Sequence, residues 1–344
     1  MSDKDLDYRS SGVDIQAGER TVENIKELVR GTYSADVLSD LGSFGGLFRF
    51  HQPSLRDPIL VASTDGVGTK LRVAIMAGKY DSIGQDLVNH CVNDILVQGA
   101  LPLFFLDYIG MGRLDPEHVQ KIISGMVKAC QENSCALIGG EMAEMPGIYQ
   151  GGDFDLVGTI VGAVDQQHLL PANRIHKGDI LIGIPSSGLH TNGYSLARKV
   201  VFEHLGLGVD SHIAELGSTV SELLLAVHKS YLPLLKPHLQ NPGLHGLAHI
   251  TGGGIPGNLK RVIPNGLTAY VSYSEQEMPP LFHWLQDAGQ LSRAAMLETF
   301  NLGVGMIAVL DPGFATEFMA SLPSFVIGEV NESRSSESKV VIVG

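Results

Sequence analysis

Residues 58–71 read PILVASTDGVGTKL, from Pro58 to Leu71. The apolar run Pro58–Ser63 ends in Thr64-Asp65-Gly66, the pattern of a buried strand running into a turn. The strand delivers a carboxylate, Gly66 and Gly68 free the backbone, and Lys70 follows. That combination suits phosphate with a metal ion. Glycine lets N–H groups approach oxygens, a carboxylate can hold Mg²⁺, and a lysine offsets phosphate charge. The stretch is not a Walker A loop, which requires G-x-x-x-x-G-K-[ST]. On spacing alone, an ordinary strand-to-loop turn with a surface lysine reads equally well.

Working outward, Ile83, Leu87, Cys91 and Ile95 fall at four-residue steps and predict a helix over Ile83–Val97. Leu103–Ile109 reads as a second buried strand. Asp115-Pro116 opens another helix, with Asp as N-cap and Pro in the first turn. Its apolar face is Val119, Ile122, Ile123, Met126, Val127 and Cys130. Cys135–Ile138 is a strand, followed by a glycine- and acid-rich loop to Asp153, and Leu156–Val164 is a further strand. Before all of these, residues 1–57 are polar and loop-rich, with one helical stretch near Thr21–Arg30, and are expected to be mobile.

A polar connector, Asp165–Lys177, marks a domain boundary, giving domains 1–170 and 171–344. The second half restarts with a strand at Asp179–Ile184, a loop at Ser186–Gly193 and a helix over Tyr194–His204. Strands Phe325–Val330 and Lys339–Val343 close the chain. Strands and helices mix in both halves, so the class is α/β or α+β. A length of 344 residues suits two such domains.

Composition excludes several functions. Lys and Arg number 24 against 37 Asp and Glu, a net charge of −13. A nucleic-acid or anionic-membrane surface needs a basic stripe, so neither partner is expected. Phosphorylated substrates remain open, because Mg²⁺ bridges carboxylates to phosphates. The three cysteines, Cys91, Cys130 and Cys135, make no C-x-x-C pair and suit a reducing cytosol. The start, MSDKDLDYRSS, has no apolar leader segment, and no apolar run approaches the ~18 residues of a membrane span. A cytoplasmic location is expected.

Three more segments could carry chemistry. Asp94 sits at the edge of the apolar face of the first helix, with Asn89 and Asn93 sharing a side. A solvated helix face is the plain alternative. Gly139-Gly140-Glu141-Met142-Ala143-Glu144 leaves a strand end, where sites gather in α/β sheets. Ala129–Asn173 and Tyr80–Gly112 contain no Lys or Arg but hold six and four acids respectively. Carboxylates without local basic partners favour a hard-metal site. Ser186-Ser187-Gly188-Leu189-His190-Thr191-Asn192-Gly193 offers hydroxyl, amide and backbone donors at a helix start, suited to phosphate. His190 could donate a hydrogen bond or a proton. Gly252–Gly257 fits G-x-G-x-x-G, but Pro256 interrupts it and no βαβ unit surrounds it. His249-Ile250-Thr251 before it suggests a strand end, so these glycines can still line a ligand. The histidines form no H-E-x-x-H motif, so no zinc enzyme is expected.

Taken together, DGVGTKL (Asp65–Leu71), CVNDILVQGA (Cys91–Ala100), PLFFLDY (Pro102–Tyr108), GGE-x-AEMPG-x-Y (Gly139–Tyr149), SSG-x-H-x-NGYSL (Ser186–Leu196), H-x-TGGG (His249–Gly254) and FN-x-GVGM (Phe300–Met306) resemble the phosphoribosylformylglycinamidine cyclo-ligase family. GVDI-x-AG at Gly12–Gly18 extends the resemblance. Met142 stands where that family often has Thr. The resemblance implies a homodimer whose N-terminal domains join strands into a central β-barrel, each with a C-terminal α/β sandwich domain. It implies closure of an imidazole ring: formylglycinamidine ribonucleotide and ATP give aminoimidazole ribonucleotide, ADP and phosphate. It assigns Asp65, Asp94 and Glu141 to Mg²⁺, and Lys26, Gly66, Gly68, Thr69, Lys70 and Asn93 to ATP. Ser186, Ser187, His190, Asn192, Thr251, Gly252 and Gly253 would meet the substrate, with His190, Lys70 and Asp94 catalytic. The Gly42–Gly46 loop would close the cleft. A small-molecule kinase of the same superfamily, such as thiamine-monophosphate kinase, or a non-catalytic nucleotide-binding relic, is the alternative.

Overall fold

A computed structural model describes residues 14–273, 277–334 and 338–343. It has two sheets, one built from strands up to Asp165 and the other from strands after Asp179. The first contains β1 (Pro58–Gly66), β2 (Leu101–Met111), β3 (Ala136–Glu144) and β4 (Phe154–Asp165) in the order β1-β4-β2-β3. Only β2 and β3 run parallel. The helix that joins them, α4 (Pro116–Glu132), supplies the crossover that parallel strands require. Its N-cap is as expected: Asp115 accepts from the N–H groups of Glu117 and His118, with Pro116 in the first turn.

Three further helices belong to this half. They are α1 (Ile15–Arg30), α2 (Lys70–Ala77) and α3 (Asp81–Leu96). α3 and α4 cross backbone to backbone. A Cβ on Gly84 would stand 2.0 Å from the Ile122 carbonyl oxygen, and one on Gly125 would stand 1.9 Å from that of Asp81. α3 is not a half-solvated helix. Every residue in it except Asp81 and Asp94 is buried, Gln85, Asp86, Asn89, His90 and Asn93 included. A solvated polar face is therefore excluded. That face is covered by residues 228–231 of the second half, to which Asn89 and Asn93 hydrogen-bond.

Among the described residues the opposite face of the first sheet carries no helix, with Phe48 packed against Phe104. Register places Ala62, Val161 and Phe104 in one row there and Thr64, Thr159 and Leu106 in the next. Leu60 and Leu101 on this face are exposed. In one chain the sheet is open, with β1 and β3 as its edges. The acid-rich segment after Ile138 is not a loop, because β3 continues through Glu144, paired to β2 as far as Met111. α1 begins at Ile15, earlier than periodicity indicated, and packs on α4. Residues 1–13, including Gly12 and Val13 of the first motif, lie outside the described residues.

The second sheet contains six strands in the order β12-β9-β11-β5-β10-β8. They are β5 (Ile180–Pro185), β8 (Leu244–His249), β9 (Leu267–Ser272), β10 (Val304–Leu310), β11 (Phe325–Glu332) and β12 (Val340–Val343). A separate two-residue ladder pairs β6 (His212–Ile213) with β7 (Ser218–Thr219). β10 is buried at every position, as a central strand covered on both faces must be. The segment 194–204 is α5 (Tyr194–Arg198) followed by a wider turn of π-helix over Lys199–His204. No helix among the described residues is long and apolar enough to cross a membrane.

Candidate active site between the two sheets

Four segments distant in sequence meet where β1 ends. β1 delivers Asp65, α3 delivers His90 and Asp94 one turn apart, β8 ends at His249, and the loop before α5 brings Thr191 and Asn192. A cavity of about 330 Å³ opens here, lined by Asp65, Gly66, Gly68, His90, Asn192 and Thr251 among others. Glycines at 66 and 68 leave its floor as bare backbone, and Gly68 has a φ of +67°, which favours a residue without Cβ.

The two carboxylates share one imidazole. His90 Nε2 lies 2.9 Å from Asp65 Oδ2 and 3.7 Å from Asp94 Oδ2. Asp94 also meets His249 Nδ1 at 2.9 Å and accepts from the Ser63 hydroxyl at 3.2 Å. Asp65 Oδ1 accepts from the Gly66 N–H at 2.7 Å. Burial works against ionisation of Asp65, yet the hydrogen bond and charge of His90 hold its carboxyl below the usual carboxylate range. Burial likewise opposes charge on His90, and the facing carboxylates more than offset it, raising its pKa. His190 and His228 are driven well below the ordinary histidine range by burial and by the neighbouring histidines and lysines, so both are neutral.

Asp65 and Asp94 are both partly open to solvent, at 43% and 25% side-chain exposure. Asp65 lines the cavity together with Asp155, and Asp94 lies beside it across His90; carboxylates at an open cavity match how Mg²⁺ is held, through one or two carboxylates and several waters. The donor set therefore fits the ion. The three histidines 190, 228 and 249 also cluster within ligand distance. Nitrogens His228 Nε2 and His249 Nε2 are 3.0 Å apart, within hydrogen-bonding distance of each other.

The structure places several of the expected site residues away from the cavity. Lys70 does not reach the cavity. It is fully buried, its ammonium 2.7 Å from Asp86 and donating to the carbonyls of His190 and Ala226. Burial pushes Lys70 down and Asp86 up, and the contact between them opposes both. Asp86 Oδ1 accepts the His228 N–H at 2.6 Å, so this pair is a strut that fixes the two loops carrying His190 and His228. Asn93 is buried as well, bonded to the Lys229 carbonyl and the Tyr231 N–H. Ser186 and Ser187 donate their hydroxyls to the carbonyls of Gly188 and Val227. His190 is fully buried, in the left-handed region at φ +62°, stacked on His228 with ring centroids 4.0 Å apart. Its Nε2 accepts the Ser187 N–H, so it does not meet a ligand directly here.

Glu141 lies apart from Asp65 and Asp94 within the chain. Register puts it in one row with Tyr108, Val157 and Gly66, on the helix-free face, whereas Asp65 lies in the row of Gly158, Asp107 and Gly140 on the other face. Glu141 instead lines a second cavity of about 580 Å³ with Gly18, Val22, Gly42 and Asp107. Lys26, on α1, lies 3.9 Å from Asp40 and lines neither cavity. The Gly42–Gly46 loop lies over β3, where a Cβ on Gly46 would stand 2.8 Å from the Ile138 side chain. Thr69 meets Ser195 Oγ at 3.2 Å, and Gly252 lies beside Asn192 with its carbonyl bonded to Asn258. Gly253 is the N-cap of the short helix Gly254–Leu259. The site thus gathers Asp65, Gly66, Gly68, Asp94, Asn192 and Thr251. Sequence reasoning missed His90, Asp86 and His228, though the i,i+4 spacing of His90 and Asp94 on α3 was a usable signal.

The class is defined by both halves. Residues 54–164 match the family model described as AIR synthase related protein, N-terminal domain, and residues 176–341 match its C-terminal domain counterpart. Two solved structures share the fold. Thiamine-monophosphate kinase from Stenotrophomonas maltophilia has a TM-score of 0.69 at 16% identity, over 93% of this chain and 95% of that one. The hydrogenase maturation protein HypE in complex with ATP has a TM-score of 0.65 at 16% identity, over 97% and 93%. Within that class, a protein of Geobacter sulfurreducens named phosphoribosylformylglycinamidine cyclo-ligase is 45% identical over 348 residues, covering 100% of both chains. The chain belongs to the phosphoribosylformylglycinamidine cyclo-ligase family.

Proposed function

We infer that the protein is an ATP-dependent ligase that closes the imidazole ring of aminoimidazole ribonucleotide during purine synthesis. One observation carries the reading: Asp65 and Asp94, from separate elements, converge on His90 at the mouth of a cavity floored by glycine backbone. An amide oxygen is a poor leaving group, so the terminal phosphoryl group of ATP first passes to the formyl oxygen of formylglycinamidine ribonucleotide, and ADP departs. An amidine nitrogen then attacks that carbon. The C–N bond forms, the C–O bond breaks, and the oxygen leaves with inorganic phosphate while the attacking nitrogen loses its proton. Catalysis of this kind is positioning plus charge neutralisation.

In this reading Asp65 and Asp94 hold Mg²⁺, which when bound supplies neutralisation of the phosphate charge. His90 keeps Asp65 ionised and in place. The backbone of Gly66 and Gly68 allows close approach of phosphate oxygens, Asn192 Nδ2 offers the substrate a donor, and Thr251 Oγ1, which donates to Asn258, offers an acceptor. The Lys70–Asp86 strut holds the walls. The helix-free sheet face, with Leu60 and Leu101 exposed, supports a homodimer in which two such sheets close on each other. The buried, unbridged cysteines suit a reducing cytoplasm.

The test is incubation with MgATP and formylglycinamidine ribonucleotide. One aminoimidazole ribonucleotide, one ADP and one phosphate are expected per turnover. ADP formed with thiamine monophosphate and no aminoimidazole product would place the protein among the kinases instead.

A further inference from the structure

β8 carries two histidines four residues apart, His245 and His249. On a helix that spacing would make one site, whereas along a strand it separates them by about 13 Å. His249 belongs to the cavity beside Asp94. His245 belongs to another place, where the connector between the two sheets, through its short turn Ala172–Arg174, packs on the edge strand β8. There the ligand atoms of His176, Asp179 and His245 all lie within 4.8 Å of one another. Asp179 is buried and held from several sides. The Gly178 N–H donates to the Val330 carbonyl and the Val330 N–H to the Asp179 carbonyl, each at 2.8 Å, which pins this turn to β11. Asp179 Oδ2 accepts the His176 N–H at 2.8 Å and lies 2.8 Å from His245 Nδ1. The two imidazoles meet edge to face, with ring centroids 5.4 Å apart. They open on a cavity of about 420 Å³, which His168 also lines. Arg174, in the same wall, is turned onto the Gln167 carbonyl at 2.6 Å.

We propose that His176 and His245, backed by Asp179, bind one divalent transition-metal ion of the zinc type, at a site separate from the one that closes the ring. Imidazole nitrogens suit Zn²⁺ and its neighbours, whereas Mg²⁺ takes oxygen donors. Donors at about 2.0–2.2 Å from one Zn²⁺ stand no more than about 4.4 Å apart, so a small rotation of the exposed His176 completes the set. A carboxylate against a ligating histidine fixes the ring, and Asp179 holds that place beside His245 before any ion arrives. Water fills the remaining positions from the open cavity. The ion fastens the connector to an edge strand, so binding stabilises the folded chain. The argument for this site is independent of the roles given to Asp65 and Asp94.

The test is calorimetric titration of the full-length protein with Zn²⁺ in excess Mg²⁺, which competes at oxygen-donor sites and poorly at imidazoles. One saturable Zn²⁺ site per chain is expected, together with a rise in Tm. His176→Ala and His245→Ala should each lose both. The first removes an exposed side chain, so a change in its metal-free Tm is not expected. Asp179→Asn should weaken binding about 10–100-fold, the usual cost of losing a group that orients a ligand. Asp65→Asn should leave the site intact. Absence of saturable Zn²⁺ binding overturns the proposal. So does a site that survives His176→Ala or Asp179→Asn unchanged, or one that is lost in Asp65→Asn, since the ion then sits elsewhere. If inorganic phosphate and not Zn²⁺ raises the Tm of wild type, and fails to do so in His176→Ala, the cavity takes anions and the proposal falls.

Discussion

Asp65 and Asp107 occupy one row of the same sheet face, each paired across Gly158 of β4. Their chemistry differs sharply. Asp65 sits at a hydrated opening with an imidazole N–H 2.9 Å away and is held ionised. Asp107 points beneath α1 and α4 into a cavity lined largely by Ile, Val and Leu, with Gly140 opposite leaving space for its carboxyl. Burial there pushes its carboxyl up to about 7, opposed only in part by a hydrogen bond from its own backbone N–H. The same residue type, two strands apart, is an ion in one place and half a neutral acid in the other. The partner group decides the state, not the strand position.

A third carboxylate gives the most severe test. Asp86 is fully buried, and its carboxyl lies 2.7 Å from the Lys70 ammonium, which opposes the upward push of burial on its pKa. Lys70→Met removes the cation and leaves the carboxylate in Asp107's situation, without its cavity. Breaking one side of a buried pair costs about 3–5 kcal/mol. Denaturant unfolding should show that loss, and Lys70→Met with Asp86→Leu should recover much of it. A single variant as stable as wild type would mean the pair contributes nothing to fixing the loops at His190 and His228.

Next in size is the effect at the site. Asp65→Asn retains shape and removes charge, and kcat/KM for ring closure should fall about 10²–10³-fold, the usual cost of losing one preorganised electrostatic group. Asp107→Asn should leave turnover within about twofold, because that carboxyl faces the other cavity. Equal losses in both would erase the distinction between the two acids.

The contrast explains what could be read in advance. α4 was legible because its cap, its proline and its apolar stripe are local, and β1 was legible because an apolar run stops at Thr64-Asp65-Gly66. Asp65 was legible as a carboxylate at a strand end before two glycines, and Asp94 as an acid in a stretch without Lys or Arg. Lys70 was not, since nothing near it in the chain announces Asp86 on α3 or the carbonyls of His190 and Ala226. The position of Glu141, apart from Asp65 within the chain, was hidden for a different reason. Strand alternation gives each residue one face, and reading Gly139–Glu144 as a loop discarded the information that separates it from Asp65. Hydrogen bonds join His90, Thr191, His228 and His249 through tertiary packing alone.

Stability should also follow the contrast with pH. The folded state of Asp107 binds its proton more tightly than the unfolded chain, whose carboxyl titrates near the ordinary value of about 3.9. Its contribution is therefore most favourable below about pH 4 and is lost as pH rises through about 7. Against Asp107→Asn, wild type should lose about 2–4 kcal/mol of relative stability between pH 4 and pH 8, since each pKa unit is worth about 1.4 kcal/mol. Paired thermal unfolding curves measure it. A difference independent of pH would show that water or a bound group already solvates the carboxyl.

The finest prediction concerns Met142, which pairs with Ile109 on the same face as Asp107 and lines the same cavity. Its thioether is one of the apolar groups that desolvate Asp107, together with the thiol of Cys130 nearby, itself pushed up partly by Asp107. Met142→Thr shortens the side chain, admits water and adds a hydroxyl next but one along the strand from Gly140. Both changes favour the charged carboxylate, so the Asp107 pKa should drop by about half a unit. Carboxyl ¹³C shifts followed from pH 4 to pH 9 resolve a change of that size. A value unmoved by the substitution would locate the desolvation deeper, at the α4 side of the cavity around Ile123, and Ile123→Thr would then be the variant that shifts it.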